Sequence, residues 1–468
     1  MIDQETQPAE TSNHSELFDD KGGLSAALLF DLRTRVSEGD AAGVKHLLTE
    51  VHAADMGDVL EALSSDARIS LISLLGDQFD YSALVEVDDP VRADLMDQIS
   101  NEDIARGVSE LDSDDAVYIL EDLGAPDRED ILSKIPVLDR LSLKRGLDFP
   151  EETAGRRMQS EFIAIAPFWN VGQTIDHMRN EAGLPEEFYQ IYVVDPSYNL
   201  LGIVPLDRLL RSRRSVKIEE LMNTHVYEIP ATQDQEAAAH LFDRYDLVEV
   251  AVVDESHRMV GVLTIDDIVD VIHEEAEEDF RALAGVGDEN LSDSVFNALK
   301  SRLTWLLVNL VTAIFASLVI GLFNATIEQM VALAVLMPIV ASMGGNAGTQ
   351  TMTVTVRAIS MRELDQFNVQ RLVNREALVG LVNGFVFALI MGIVATLWFS
   401  SVALGVVIGL AMVVNMFAAG VAGILIPISL NKFGVDPAVA SSAFVTTVTD
   451  VVGFFAFLGM AALWFGIG

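Results

Sequence analysis

The pattern of the chain changes near residue 300. Beyond that point stand five apolar runs, Leu303–Phe323, Met330–Val356, Ala377–Phe399, Leu404–Leu430 and Ala438–Phe465. A helix that crosses a bilayer needs about 20 predominantly apolar residues, so the pattern predicts five membrane spans. Ahead of residue 300 the period is shorter. Between Gly23 and Gly146, apolar residues recur at three- and four-residue spacing, as in "AADMGDVLEALSSDARISLISLL" and "VSELDSDDAVYILEDLGAPDREDILSKI". That is the spacing of amphipathic helices, with Leu and Ile forming the core. The stretches "ALSSDARISLISLL" and "ISNEDIARGVSEL" each set capping residues ahead of a helix. Stacked short helices are the expected result.

A strand–turn–strand–helix pattern follows, and it occurs twice. "YVVDPSYNLLGIVPLDRLL" from Tyr192 corresponds to "AVVDESHRMVGVLTIDDIV" from Ala251, pairing Asp195 with Asp254, Gly202 with Gly261 and Asp207 with Asp266 at a 59-residue offset. The segments ahead of them, "FIAIAPFWNVGQTIDHM" and "VYEIPATQDQEAAAHLF", each read as strand, turn and helix. The repeat resembles a tandem pair of CBS domains, which implies a regulatory module that binds adenine nucleotides such as ATP, or ions. In that family a Ser or Thr followed three residues later by Asp contacts ribose and phosphate. The second copy keeps this pair as Thr264 and Asp267, whereas the first has Pro205 and Arg208.

Charge divides the chain at the same place as hydropathy. The formal net charge is −40, and residues 301–468 hold six basic and six acidic residues, so the whole excess lies in the first 300. Such a surface disfavours nucleic acid and anionic lipid and favours cations; solubility alone is the plainer account. There is no Cys, hence no disulfide framework. The polar, acidic N-terminal stretch lacks the features of a signal peptide and reads as a disordered lead-in over 1–22. No nucleophile with a base, no P-loop and no metal-hydrolase spacing is present, so an enzyme is not expected.

The links between the apolar runs sort by charge. Arg302 precedes the first run; Arg357, Arg362, Arg371 and Arg375 lie in the second link and Lys432 in the fourth, while the first and third links hold no Lys or Arg. The positive-inside rule then puts the acidic half in the cytoplasm and the C-terminus outside.

Polar residues inside the runs carry the candidate chemistry. The second contains "MPIVASMGGNAGTQT", where Pro and clustered Gly are expected to loosen the helix and free carbonyls against protein or a wet cavity. The third and fourth hold Gly380 and Gly384, and Gly405 and Gly409, at a spacing that permits close helix contact. In the fifth, Ser442, Thr446 and Asp450 form one stripe at four-residue spacing, with no Lys, Arg or His from Ala438 to Gly468. A helix starting near Pro437 carries Asp450 about 20 Å along its axis, where an ionised carboxylate costs about 3 kcal/mol or more. A buried, hydrogen-bonded Asp is one account; a passing cation is the other. Oxygen donors without Cys or His suit hard cations, and one carboxylate per chain suits hydrated Mg²⁺ better than Ca²⁺. Oxygen counting leaves Na⁺ and H⁺ open. Ahead of the first run, Glu274, Glu275, Glu277, Glu278 and Asp279 crowd two helical turns. Such repulsion destabilises a helix, which marks either a solvated linker or a divalent-cation site.

Taken together, the acidic helical region, "FPEETAGRRM", the CBS copies, "MPIVASMGGNAGTQT" and "FVTTVTDVVGFF" resemble the MgtE-type magnesium transporters over nearly the whole chain after the lead-in. The resemblance implies a homodimer in the cell (inner) membrane, surrounded by lipid. It implies a Mg²⁺-selective pore on the dimer axis, closed when cytoplasmic domains bind Mg²⁺. By position, Asp450 would hold hydrated Mg²⁺, supported by oxygens around Thr446 and by Ser442. Gly345, Asn346 and Thr349 would line the same passage, with Asp436 at the inner mouth and Glu328 at the outer. Regulatory Mg²⁺ would meet Asp234, Glu236 and Asp246, Asp267 and Asp270, Glu275, Glu278 and Asp279, with Asp114 and Asp115 facing the second CBS copy.

The expected organisation is an all-α superhelical acidic domain at 23–150 and an α/β tandem CBS pair at 151–272, divided at about 218. An acidic connecting helix at 273–300 and an α-helical five-span pore domain at 301–468 complete it. Two other readings stay open: a secondary transporter using Asp450 as a proton or sodium relay, and a nonconducting sensor of Mg²⁺ or nucleotide.

Overall fold

The computed structural model describes residues 24–466 other than 50, 182, 186, 287–294, 363 and 365–367. The lead-in, and Glu363 and Asp365 of the second link, lie outside the described residues. The chain forms two compact units that divide between His273 and Glu274.

In the first unit, the described residues of the N-terminal region form nine α-helices, from α1 (Ala26–Glu38) to α9 (Val137–Asp148). Local chemistry sets their ends. Gly39, at φ 72°, closes α1 in the left-handed conformation, and Asp40 accepts the Gly43 N–H to start the next helix. Ser64 stands at the N-cap of α4 (Ser65–Leu75) without a side-chain cap bond. Ser100 does cap α6 (Asn101–Val108), its Oγ accepting from Asp103 N at 3.2 Å. Leu32, Leu60, Leu71, Leu95, Ile104 and Leu120 are wholly buried in one core, as the three- and four-residue spacing predicts.

The sequence repeat is also a structural one. Strands β1 (Ala164–Ile165), β2 (Gln190–Val194) and β3 (Leu200–Pro205) make one sheet; β4 (Glu228–Pro230), β5 (Glu249–Val253) and β6 (Met259–Thr264) make the other. Each sheet has a parallel pair followed by an antiparallel one. Gln190 faces Pro205 as Glu249 faces Thr264, and register shifts at Val193/Val194 and Val252/Val253. The first copy carries α10 (Val171–Asn180), α11 (Leu206–Leu210) and α12 (Ile218–Leu221). The second carries α13 (Gln235–Tyr245) and α14 (Ile265–Ala284). The matched glycines have a steric role: a Cβ on Gly261 would lie 2.7 Å from the Gln159 carbonyl, and one on Gly202 2.6 Å from that of Asn223. Backbone runs through both gaps. Gln159 exchanges hydrogen bonds with Val262, Ala154 N donates to Gln233 O at 2.7 Å, and Ala154 and Met158 lie in the second copy's core. The packing therefore does not divide at about 218 as two successive segments: Ala154 to Gln159, ahead of the first copy, pack into the second, while Ile218 and Leu221 lie in the first copy's core.

The connecting segment also differs from a single helix over 273–300. Helix α14 begins inside the second CBS copy at Ile265 and stops at Ala284, where Gly285 takes φ 71°. In the second unit the helices are α15 (Val295–Gly321), α16 (Asn324–Gln329), α17 (Ala332–Ser360), α18 (Val369–Phe399), α19 (Val402–Lys432) and α20 (Pro437–Phe465). All but the short α16 contain a stretch long and apolar enough to cross a membrane. Among these five, α19 is the most buried and forms the centre of the bundle.

Glycine fixes the tightest contact there. A Cβ on Gly420 would meet Glu376 O at 2.7 Å; on Gly380, Met416 O at 2.6 Å; on Gly384, the Val413 Cα at 2.9 Å; on Gly409, Ala388 O at 3.2 Å; on Gly405, Gly392 O at 2.5 Å. The paired positions run in opposite directions, so α18 and α19 form an antiparallel seam of touching backbones. The expected loosening of the second span is not found: α17 is continuous from Ala332 to Ser360 with Pro338 inside it. Its glycines make room for side chains instead. Gly344 and Gly453 flank the wholly buried Asn415, whose Nδ2 donates to Val340 O at 2.8 Å, and Gly348 abuts Val445.

Candidate cation path and carboxylate sensor

Helix α20 starts on Asp436, whose side chain accepts the Ala438 N–H at 2.7 Å, with Pro437 in its first turn. From there Ser442 (half-buried), Thr446 (exposed) and Asp450 (half-buried) follow one face. Asp450 has no hydrogen-bond or ion-pair partner among the described residues, and lies midway along a 29-residue helix. The Thr446 carbonyl is partly occupied, accepting from Thr449 Oγ1 at 3.0 Å. On α17, Ser342, Asn346, Thr349 and Thr353 are exposed at helical spacing, and a Cβ on Gly345 would meet nothing within 4 Å. Hydroxyls and an amide exposed on span-length helices do not suit lipid; they suit water, a partner chain or an ion path.

The two expected mouth residues are separate from this stripe. Glu328 is exposed on α16, and Asp436 is exposed at the start of α20. Asp279 lies at the end of α14, where its Oδ2 accepts the Ser360 hydroxyl at 2.8 Å. Burial pushes the Asp279 carboxyl above the usual range. The Ser360 bond opposes that shift, and the Asp436 charge adds to it. Three residues further on, Ala282 packs with Met352, Val356, Ala438 and Val445. The end of α14 is therefore wedged against the C-terminal part of α17 and the N-terminal part of α20. Glu275 is half-buried and Glu278 exposed on the same helix.

The first unit holds a second acidic cluster. Asp114 and Asp115 open α7 (Ser113–Glu121); Asp266, Asp267 and Asp270 lie in the first turns of α14; Glu86 comes from the loop before α5 (Asp89–Gln98). Burial, then the charges of Asp267 and Asp115, hold the Asp114 carboxyl well above its ordinary value. Asp115 is pushed to about 6 by burial, then by Asp112, Glu86, Asp266 and Asp270. Asp267 reaches about 7, chiefly through burial, although Thr264 Oγ1 donates to it at 2.6 Å. Asp270 and Glu86 are raised as well, burial leading in both. Ionising all of these groups together is costly. No three His, Asp or Glu side chains among the described residues converge closely enough to hold an ion. The cluster is crowded rather than preformed.

The remaining regulatory residues do not join it. Asp234 caps α13 by accepting the Ala237 N–H, and Glu236 lies 3.7 Å from His240. Asp246 ends the same helix at φ 51°. Twelve residues of helix, about 18 Å, separate the two caps, so one ion cannot bridge them within this chain. Sequence reasoning missed Glu86, Asp112 and Asp266. Asp266 was visible in the run "TIDDIVD", but only the fold brings Glu86 and Asp112 to it.

A bundle of five candidate spans carrying a carboxylate without a partner among the described residues, following a CBS pair and an acidic helical region, defines a multi-domain integral membrane protein. The MgtE family model, described as a divalent cation transporter, matches residues 337–460. The MgtE intracellular N domain model matches 51–152 and a CBS domain model 218–274. The magnesium transporter MgtE of Enterococcus faecalis is 35% identical over 322 residues, 69% of this chain and 71% of that one. The magnesium transporter MgtE of Thermus thermophilus is 29% identical over 457 residues, 94% of this chain and 99% of that one. The solved cytosolic domain of the Mg²⁺ channel MgtE in complex with ATP is 26% identical and covers 52% of this chain and 99% of that chain, with TM-score 0.49. The chain belongs to the MgtE family.

Proposed function

We propose that the protein carries Mg²⁺ into the cytoplasm as a homodimer in the cell membrane, with Asp450 of each chain facing a shared, water-filled path. The observation that carries this reading is the unpartnered carboxylate at mid-span, on one face with half-buried Ser442 and exposed Thr446. A hydrated divalent ion between two such carboxylates supplies the missing countercharge and keeps its inner waters. Asn346, Thr349 and the open backbone at Gly345 offer oxygens to those waters, and Glu328 and Asp436 draw cations to the two mouths.

Closure by internal Mg²⁺ follows from the acidic clusters. Without the ion, Asp114, Asp115, Asp267 and Asp270 repel one another, as do Glu275, Glu278 and Asp279 along α14. Bound Mg²⁺ relieves both, and α14 runs through both sets, with Asp279 in its last turns beside Ser360. The ion shifts the balance only by binding the closed form better. Asp234, Glu236 and Asp246 serve as further contacts, at separate positions. The carboxylates around Asp267 disfavour a triphosphate at Thr264 and Asp267, so this reading gives that pair to Mg²⁺ rather than to ATP.

Reconstitution in liposomes tests the reading. Mg²⁺ influx should follow the Mg²⁺ gradient and voltage alone, fall when Mg²⁺ is raised on the cytoplasmic side, and vanish in Asp450→Ala. Dependence on a proton or sodium gradient would favour a coupled transporter, and absence of flux from the wild type a nonconducting sensor.

A further inference from the structure

Where α17 ends and α18 begins, Val354, Arg357, Asn368, Arg371, Leu372 and Arg375 line a recess of about 540 Å³. Three of the six basic residues of the membrane half share this one wall. Arg375 is held by Glu376, with Nε at 2.9 Å and Nη2 at 2.8 Å from Oε1. Arg357 and Arg371 are exposed and have no hydrogen-bond or ion-pair partner among the described residues. A guanidinium cannot shed its charge, so among the described residues this recess gathers three cations against the one carboxylate of Glu376, in a chain of net charge −40. The positive-inside bias explains the number of arginines in the link. It requires neither a shared recess nor apolar walls.

The geometry points to a binding site for an anionic phospholipid, its phosphate between Arg357 and Arg371 and its acyl chains along Val354 and Leu372. The planar guanidinium fork matches phosphate oxygens, and basic recesses between spans at the membrane surface suit acidic headgroups. A zwitterionic headgroup brings its own cation and gains less. The inference is independent of the Mg²⁺ path, since Asp450 is not among the described residues that line the recess.

Native mass spectrometry of the full-length protein, exchanged in detergent against equal phosphatidylglycerol and phosphatidylcholine, tests it. The wild type should retain phosphatidylglycerol in about tenfold preference, the equivalent of one to two surface charges. Arg357→Gln with Arg371→Gln should bring the ratio near one, and Lys432→Gln, a basic residue outside the recess, should leave it unchanged. Millimolar inorganic phosphate should not displace the lipid. A wild type without preference, or a double variant that keeps it, overturns the proposal. So does an equal loss in Lys432→Gln, which would mean diffuse attraction, and so does displacement by inorganic phosphate, which would mean a soluble-anion site. The wild-type and phosphate measurements decide the matter even if the double variant does not fold.

Discussion

Asp450 and Asp267 are both carboxylates in unfavourable surroundings, for opposite reasons. Asp450 is isolated on a membrane helix, with nothing charged or hydrogen-bonding beside it among the described residues. Asp267 has Thr264 as a donor but is surrounded by Asp114, Asp115 and Asp266. One lacks a partner and the other has too many like-charged neighbours. On the proposed reading a cation relieves both, and the two arrangements suit different tasks. A single charge binds loosely and releases quickly, as passage requires. A crowd binds strongly only when its members are drawn together, as a switch requires.

The largest effect should come from removing the isolated charge. Asp450→Asn should lower Mg²⁺ flux in proteoliposomes by about 100-fold, from about 3 kcal/mol of charge cost no longer offset by the ion. The same variant should unfold at a higher temperature. A variant that loses flux and stability together would make Asp450 a structural residue and break the comparison. Next, joint neutralisation of Glu275, Glu278 and Asp279 to Gln, Gln and Asn should leave maximal flux intact and raise the internal Mg²⁺ needed for closure by about tenfold. That figure corresponds to roughly 1.4 kcal/mol of lost coupling. Closure at the original concentration would remove α14 from the sensor.

A smaller effect concerns pH. Asp115 and Asp267 titrate near 6 and 7 when folded, above the ordinary value near 4. Their contribution to stability is complete below pH 4 and is lost as pH rises through 6 and 7. Mg²⁺ must displace these protons, so the internal Mg²⁺ that closes the path should be several-fold higher at pH 6 than at pH 8. Flux recordings with the cytoplasmic side buffered at each value would show it; a pH-independent midpoint would exclude both residues. The smallest effect separates backbone from chemistry at Asp246. With φ at 51°, Asp246→Gly should change stability by less than about 1 kcal/mol, so any change in closure that exceeds it belongs to the lost carboxylate.

The sequence is most readable where one residue's environment depends on its own helix or strand. The five span-length apolar helices, the 59-residue repeat and the Ser442–Thr446–Asp450 stripe depend only on periodicity, and all three are present in the structure. What could not be read depends on segments far apart in the chain. The entry of Ala154 to Gln159 into the second CBS sheet, the approach of Glu86 to Asp115, and the recess shared by Arg357 and Arg371 each require the fold. Pro338 and the glycines after it misled for a related reason. Composition alone cannot distinguish a glycine that unwinds a helix from one that admits a neighbour such as Asn415.

The row of glycine contacts between α18 and α19 has a mechanical consequence. Where main chain rests on main chain at Gly380, Gly384, Gly405 and Gly420, no rotamer can absorb a slide of one helix past the other. The two must travel together as a single stiff blade, and α17 leans on the same blade where a Cβ on Gly423 would meet Gly348 O at 2.8 Å, so on the proposed reading α20 is the wall left to shift if a route past Asp450 is to widen.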